Sequence, residues 1–243
     1  MLDVLSAQRV LVIGGSSGIG EASALMAANA GASVTIASRS RQKLDAALRR
    51  LPQGVSAVQL DVCDAAAVEA FFAAHDAWDH VVLAGSSTKV GTIHELSLED
   101  AHAAMQNKFW GAYHLGRSVR IRAGGSLTGS LTFVSGVFSQ RPVTGALLQG
   151  AINGALESLM RGLALTFAPA VRVNAVSPST TATPLWDRLG EAGRAAKFAD
   201  MAARLPVGRV AQPADIAKAI WFVATNPFAT GSTVLVDGGD ALV

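Results

Sequence analysis

Gln149 and Asn153 stand four residues apart in "ALLQGAING", a stretch that reads as the opening of a helix. At that spacing the two side chains share one face, a turn apart. Amides donate and accept hydrogen bonds, but near neutral pH they neither release nor take up a proton. The pair can therefore orient a ligand and cannot serve as general acid or base. Gly150 and Gly154 repeat the spacing and leave a small-residue strip beside the amides, which reads as close helix packing.

A second pattern offers chemistry of another kind. In "IGGSSGIGEA", Gly14, Gly18 and Gly20 form G-x-x-x-G-x-G, with Ser16, Ser17 and Ile19 between them. The segment follows an apolar run and precedes an alanine-rich one, so it reads as a turn from a strand into a helix. Glycines let such a turn approach a pyrophosphate, and the helix N-terminus meets the negative charge. The next strand ends in "IASRSRQKL", with Ser38, Arg39 and Arg41 and no carboxylate. An acidic residue there would bind a ribose 2′-hydroxyl, whereas arginine accommodates a 2′-phosphate. NADP(H) is therefore expected in preference to NAD(H), held at that end by Ser38 and Arg39. Arg41 reads as a solvated residue at a helix start.

Other reactive side chains give weaker signals. "HDAWDH" at 75–80 has metal-capable groups but falls between a helix and a strand, and it reads as a solvated connection. No cysteine–histidine spacing suggests zinc, and no metal is expected. Cys63 is the single cysteine, so no internal disulfide can form, and it reads as a structural thiol suited to a reducing cytosol.

These groups must be positioned by regular elements, and the chain supplies them in alternation. Short β-branched runs ("RVLVIGG", "ASVTIAS", "SAVQLDV", "HVVLAG", "SLTFVSG", "VRVNAVSP", "STVLVDGG") are separated by amphipathic stretches. One helix is expected from Ser97, where "SLED" resembles a capping box, to about Val119. Another, "PADIAKAIWFVAT", has Pro213 in its first turn. The strand runs are continuously hydrophobic rather than alternating, as in a parallel sheet covered on both faces. The expected fold is α/β: one doubly wound, Rossmann-type parallel sheet, forming a single domain over residues 1–243. Residues 179–210 break the rhythm and read as a helical lid or substrate loop. Leu185, Trp186, Phe198 and Met201 supply apolar material either for a small substrate or for covering the core.

Composition narrows the partners. Half of the 243 residues are hydrophobic and the formal net charge is +2, with basic residues scattered, so no nucleic-acid footprint is visible. The N-terminal stretch lacks a basic region, and no apolar segment reaches the roughly 20 residues of a membrane helix. A soluble cytoplasmic protein is expected, with a small-molecule ligand and neither nucleic acid nor membrane as partner.

Several ordered motifs carry a resemblance along nearly the whole chain: "GGSSGIG", "LDV" at 60–62, "LAG" at 83–85, "QNKFWGAY", "FVSG", "RVNAVSP", "ATPL" and "ATGSTVLVDGG". In these the chain resembles the short-chain dehydrogenase/reductase family. The resemblance implies that Asp61 and Val62 border the adenine, that Ala84 and Gly85 line the cofactor cleft, and that Pro178 and Thr183 lie near the nicotinamide. It also implies a homodimer or homotetramer formed through the Asn107 helix and the amide-bearing helix. The family's chemistry uses an Asn, a Ser and a Tyr-x-x-x-Lys pair. Asn107 matches the first. Gapless alignment puts Gly136 at the serine position with Ser135 beside it, Gln149 at the tyrosine position and Asn153 at the lysine position. Ser179 replaces the glycine usual after the proline.

No other tyrosine fills the role, because Tyr113 is the only one. It lies six residues past Asn107, about 120° around the helix, and reads as a packed residue even though Arg117 follows by four. Lys108 is Asn107's neighbour and is expected to point elsewhere; His114 returns to that face about 10 Å along the axis. Asn107, Ser135, Gln149 and Asn153 remain as the candidate catalytic set. Three functions stay open: an NADP(H)-dependent oxidoreductase acting on a small carbonyl or alcohol through an atypical proton relay, a catalytically silent NADP(H)-binding sensor or partner subunit, and a lyase or isomerase.

Overall fold

The computed structural model describes residues 3–85, 88–122 and 129–243; Met1 and Leu2, part of the N-terminal stretch weighed above, lie outside it. Seven strands form one sheet: β1 (Arg9–Ile13), β2 (Ser33–Ser38), β3 (Ser56–Gln59), β4 (His80–Leu83), β5 (Gly129–Val134), β6 (Val171–Pro178) and β7 (Thr233–Val236). Their order is β3-β2-β1-β4-β5-β6-β7, and every pairing is parallel. The order reverses between β1 and β4, and a sheet of this kind opens a crevice there, outside the carboxyl ends of its strands. Ile13 is level with Ala37 on β2 and with Leu83 on β4, so the three strand ends reach that crevice together.

The continuous hydrophobicity of β1 now has its reason. Leu11 and Ile13 point into one core, with Phe72, Leu115, Leu131, Phe133 and Met160. Val10 and Val12 point into the other, with Ile36, Leu44, Ile220 and Trp221. Helices α3 (Ala65–Ala74), α5 (Gly111–Ser118) and α6 (Leu147–Phe167) supply the first layer; α1 (Gly18–Asn29), α2 (Arg41–Leu48) and α8 (Pro213–Thr225) supply the second. Burying both faces gives each strand residue a core, the main favourable term in folding.

The helix expected from Ser97 opens on a reciprocal capping box between Ser97 and Asp100 and begins as α4 (Leu98–Met105). It then widens into a π turn over Gln106–Trp110 before continuing as α5. The adjacent polar residues Asn107 and Lys108 both lie within this turn. The stretch 179–210 folds as a 3-10 segment (Pro184–Leu189) running into α7 (Gly190–Arg204). Met201, Leu205 and Val210 form a small core of their own, with Phe198 packed against it.

One buried group makes the fold pH-dependent. His80 on β4 is 5% exposed, and its Nδ1 lies 2.9 Å from Ser130 Oγ on the paired strand. Burial, followed by the nearby Arg172 charge, pushes its pKa down to about 4. The folded state thus binds fewer protons than the unfolded chain between about pH 4 and 6.5, so stability rises with pH across that window and is lost on descent. The expected loss from this residue is about 3 kcal/mol between pH 7 and pH 4. Urea unfolding of wild type and His80→Gln at both pH values checks it: the variant should lose less stability on acidification.

Candidate active site

The crevice holds a cleft of about 540 Å³ lined from β1, β2, β4, β5, β6, α6 and the 184–189 segment. That volume falls within the range typical of ligand pockets. Every residue named from the sequence as a catalytic or cofactor-binding candidate lines it, except Gly20. Gly20 lies behind the turn: a Cβ there would sit 2.2 Å from Gly14 O, so its missing side chain lets α1 close onto the strand end. Gly14 has φ +82°, and a Cβ on it would lie 1.8 Å from Ala84 O. Helix α1 starts at Gly18 after Ser17, whose side chain makes no capping bond, leaving the first backbone N–H groups toward the cleft. These features fit a pyrophosphate, which would be held by the 14–19 turn and the α1 N-terminus.

At the end of β2, Ser38 Oγ accepts a bond from Ser16 Oγ (3.2 Å), and Arg39 is exposed at the rim with Nη1 3.3 Å from Asn107 Oδ1. Lys43 lines the same end, while Arg41 turns to Asp45 (2.9 Å) on its own helix. Asp61 accepts from the Cys63 backbone N–H, and the Cys63 thiol, its pKa raised chiefly by burial, rests against Gln106 and Asn107. A 2′-phosphate would meet the Arg39 and Lys43 cations; no carboxylate stands at that strand end.

The opposite end departs from expectation. Asn107 donates through Nδ2 to Ala103 O (2.8 Å) and faces Arg39, so its amide is turned back along its helix. Lys108, expected to point elsewhere, enters the cleft: its Nζ donates to Ser135 O (2.8 Å) and to Asn153 Oδ1 (2.6 Å). A sequence signal existed. Lys108 shares the stripe of Ala104, Ala112 and Leu115, spaced by four, four and three, and all three are buried.

Asn153 is 4% exposed, and its Nδ2 donates to Gly136 O (3.1 Å), which leaves Oδ1 aimed at Lys108. One turn further, Glu157 is buried and accepts from Ser139 Oγ (2.7 Å) and Gln140 Nε2 (3.3 Å). Desolvation lowers the Lys108 pKa to about 8, and the Glu157 charge opposes that fall. Gln149 Nε2 donates to Lys89 O (2.8 Å), while its Oε1 is buried without a donor among the described residues. Ser135 Oγ is occupied by Val176 O (3.4 Å).

Leu185 and Trp186 line the cleft, whereas Phe198 and Met201 serve the α7 core, so the apolar material of 179–210 divides between the two roles. Thr183 would touch a Cβ on Gly18 at 3.0 Å, which places the start of the 184–189 segment against the glycine turn. Ser179 is tied to buried Asp240. Tyr113 stands outside the cleft, 39% exposed with an edge-on contact to Trp110, rather than packed as expected. His114 is bonded to Val62 O. Among the described residues no cluster of His, Cys, Asp or Glu could hold a metal ion, and no helix is long and apolar enough to cross a membrane.

A family model described as enoyl-(acyl carrier protein) reductase matches residues 14–240. A short-chain dehydrogenase/reductase of Stachybotrys chlorohalonatus is 30% identical over 98% of both chains. The L-xylulose reductase of Mus musculus is 30% identical over 97% of both. Among solved structures, the chain is similar to an NADPH-bound short chain oxidoreductase from Pseudomonas aeruginosa PAO1 described as containing an atypical catalytic center. The TM-score is 0.87 at 30% identity, covering 97% of this chain and 98% of that one.

Proposed function

The chain belongs to the short-chain dehydrogenase/reductase family, and we propose that it is an NADP(H)-dependent oxidoreductase acting on a small carbonyl or alcohol. The observation that carries this reading is the pairing of a glycine turn too tight for side chains with an arginine, and no carboxylate, at the end of β2. The glycine turn and the α1 N-terminus would hold the pyrophosphate. Ser38, Arg39 and Lys43 would hold the 2′-phosphate, and Val62 and Ala84 would border the base and cleft floor. Bound there, the nicotinamide supplies hydride exchange; the chain's residues position the substrate and move its proton. The reductase name of one relative and the NADPH in a solved neighbour support the same direction.

Arg39→Asp is expected to weaken NADPH about tenfold or more relative to NADH, the scale of one charge-assisted bond lost and a repulsion gained. Fluorescence titration with both nucleotides measures it; an unchanged ratio would remove the 2′-phosphate assignment. A second reading, a nucleotide-binding protein without turnover, is favoured by the amides at 149 and 153. Tight NADPH binding with no oxidation across a broad panel of ketones and aldehydes would select it.

A further inference from the structure

We propose that the Lys108 amine is the proton-transferring group of this site, standing in space where Asn153 stands in the chain. The inference rests on the NADP(H) reading above and deepens it.

The argument begins with elimination. Gln149 and Asn153 cannot titrate, and Ser135 Oγ is engaged with Val176 O on β6. The titratable cleft residues Arg39, Lys43, Asp61 and Cys63 lie at or just beyond the ends of β2 and β3, on the far side of β1 from β5 and β6. Near the β5 and β6 ends the cleft is lined by two ionisable side chains among the described residues, Lys108 and Arg188. A guanidinium does not give up its proton in this pH range.

Geometry then favours Lys108. Its ammonium carries three N–H donors, of which Ser135 O and Asn153 Oδ1 take two. The third is free for a substrate oxygen. Both acceptors are fixed: Ser135 follows directly on β5 and its backbone N–H donates to Val176 O on β6, and Asn153 is pinned by Gly136 O. The charged group acting on Lys108 is Glu157 of α6, itself held by Ser139 and Gln140; Arg188 lines the same cleft from the 184–189 segment. Burial brings the amine to about pH 8, where it can both give and take a proton near neutrality.

The step balances as follows. The carbonyl carbon gains a C–H bond from the hydride of a reduced nicotinamide dinucleotide, which becomes oxidised. The C=O π pair passes to oxygen, and an O–H bond forms there as one Lys108 N–H bond breaks. The neutral amine then regains its proton from water.

The chain has five lysines, Lys43, Lys89, Lys108, Lys197 and Lys218, so ¹³C-lysine labelling gives a spectrum simple enough to titrate each amine in the ligand-free protein. Lys108, assigned by Lys108→Arg, should titrate near 8, well below the ordinary lysine value. Glu157→Gln should move it lower, because a stabilising negative charge is gone. In wild type, carbonyl reduction should hold level below pH 8 and fall about tenfold per unit above it, with the break moving down in Glu157→Gln. Lys108→Met should lose roughly 10²-fold or more of turnover. Lys108 titrating at the ordinary lysine value, or Lys108→Met retaining full turnover, overturns the proposal. Failure of wild type to bind NADPH in a fluorescence titration would instead remove the reading beneath it.

Discussion

Gly14→Ala is expected to abolish NADPH binding at concentrations where wild type is saturated, a weakening of at least about 100-fold. Two separate costs converge on this residue. Its φ of +82° lies in the left-handed region, which costs a residue with a Cβ roughly 1–2 kcal/mol. The added carbon would also meet Ala84 O at 1.8 Å and Ala84 C at 2.6 Å. Both are backbone atoms at the end of β4, so no side chain can rotate away. Either the turn after β1 lifts or the β4 end retreats, and each of these forms the floor on which a pyrophosphate would lie. Gly54 separates the two costs. It has φ +94° but nothing within 4 Å of an ideal Cβ, so Gly54→Ala carries the conformational cost alone. NADPH titration and urea unfolding of both variants test the argument. Gly54→Ala should lose about 1 kcal/mol of stability with binding intact. Gly14→Ala should lose binding, and retention of wild-type affinity would show that the turn is not the cradle.

The contrast between that turn and the far end of the cleft explains what could be read in the sequence. The turn is specified locally: three glycines, a preceding apolar strand and a following helix fix its shape within ten residues. The two-sided cores are equally local, since Val10, Leu11, Val12 and Ile13 are all apolar and therefore all need covering. Lys108 was missed because it was weighed only as the neighbour of Asn107, although at roughly 100° per residue it falls on the face of Ala104, Ala112 and Leu115. A π turn is not visible in residue types, although the buried stripe Ala104–Lys108–Ala112 was. Asn107 matched a family position in sequence, yet its amide bonds back to Ala103 O. The division of Leu185 and Trp186 from Phe198 and Met201 depended on where α7 packs, a contact between segments that periodicity does not encode.

The nearness of Lys108 to Asn153 yields the second large effect. Asn153→Lys alone should destabilise the protein by about 3 kcal/mol or more, the scale of an uncompensated buried charge. Asn153 Oδ1 lies 2.6 Å from the Lys108 ammonium at a position only 4% exposed, so a second ammonium would replace an acceptor with a like charge. Glu157 can offset one positive charge and not two, and one amine must deprotonate or leave the site. Lys108→Asn in the same chain removes the repulsion and returns an amide to face the new lysine. Most of the lost stability should therefore come back, with a coupling energy of about 2 kcal/mol in a urea double-mutant cycle. Adding Gln149→Tyr to the exchanged pair supplies a titratable hydroxyl one turn before the lysine. The triple variant should then reduce carbonyls, whereas Gln149→Tyr with Asn153→Lys in the presence of Lys108 should be too unstable to do so. Independent effects of the substitutions at 108 and 153, with no coupling between them, would mean that the two side chains do not share one site.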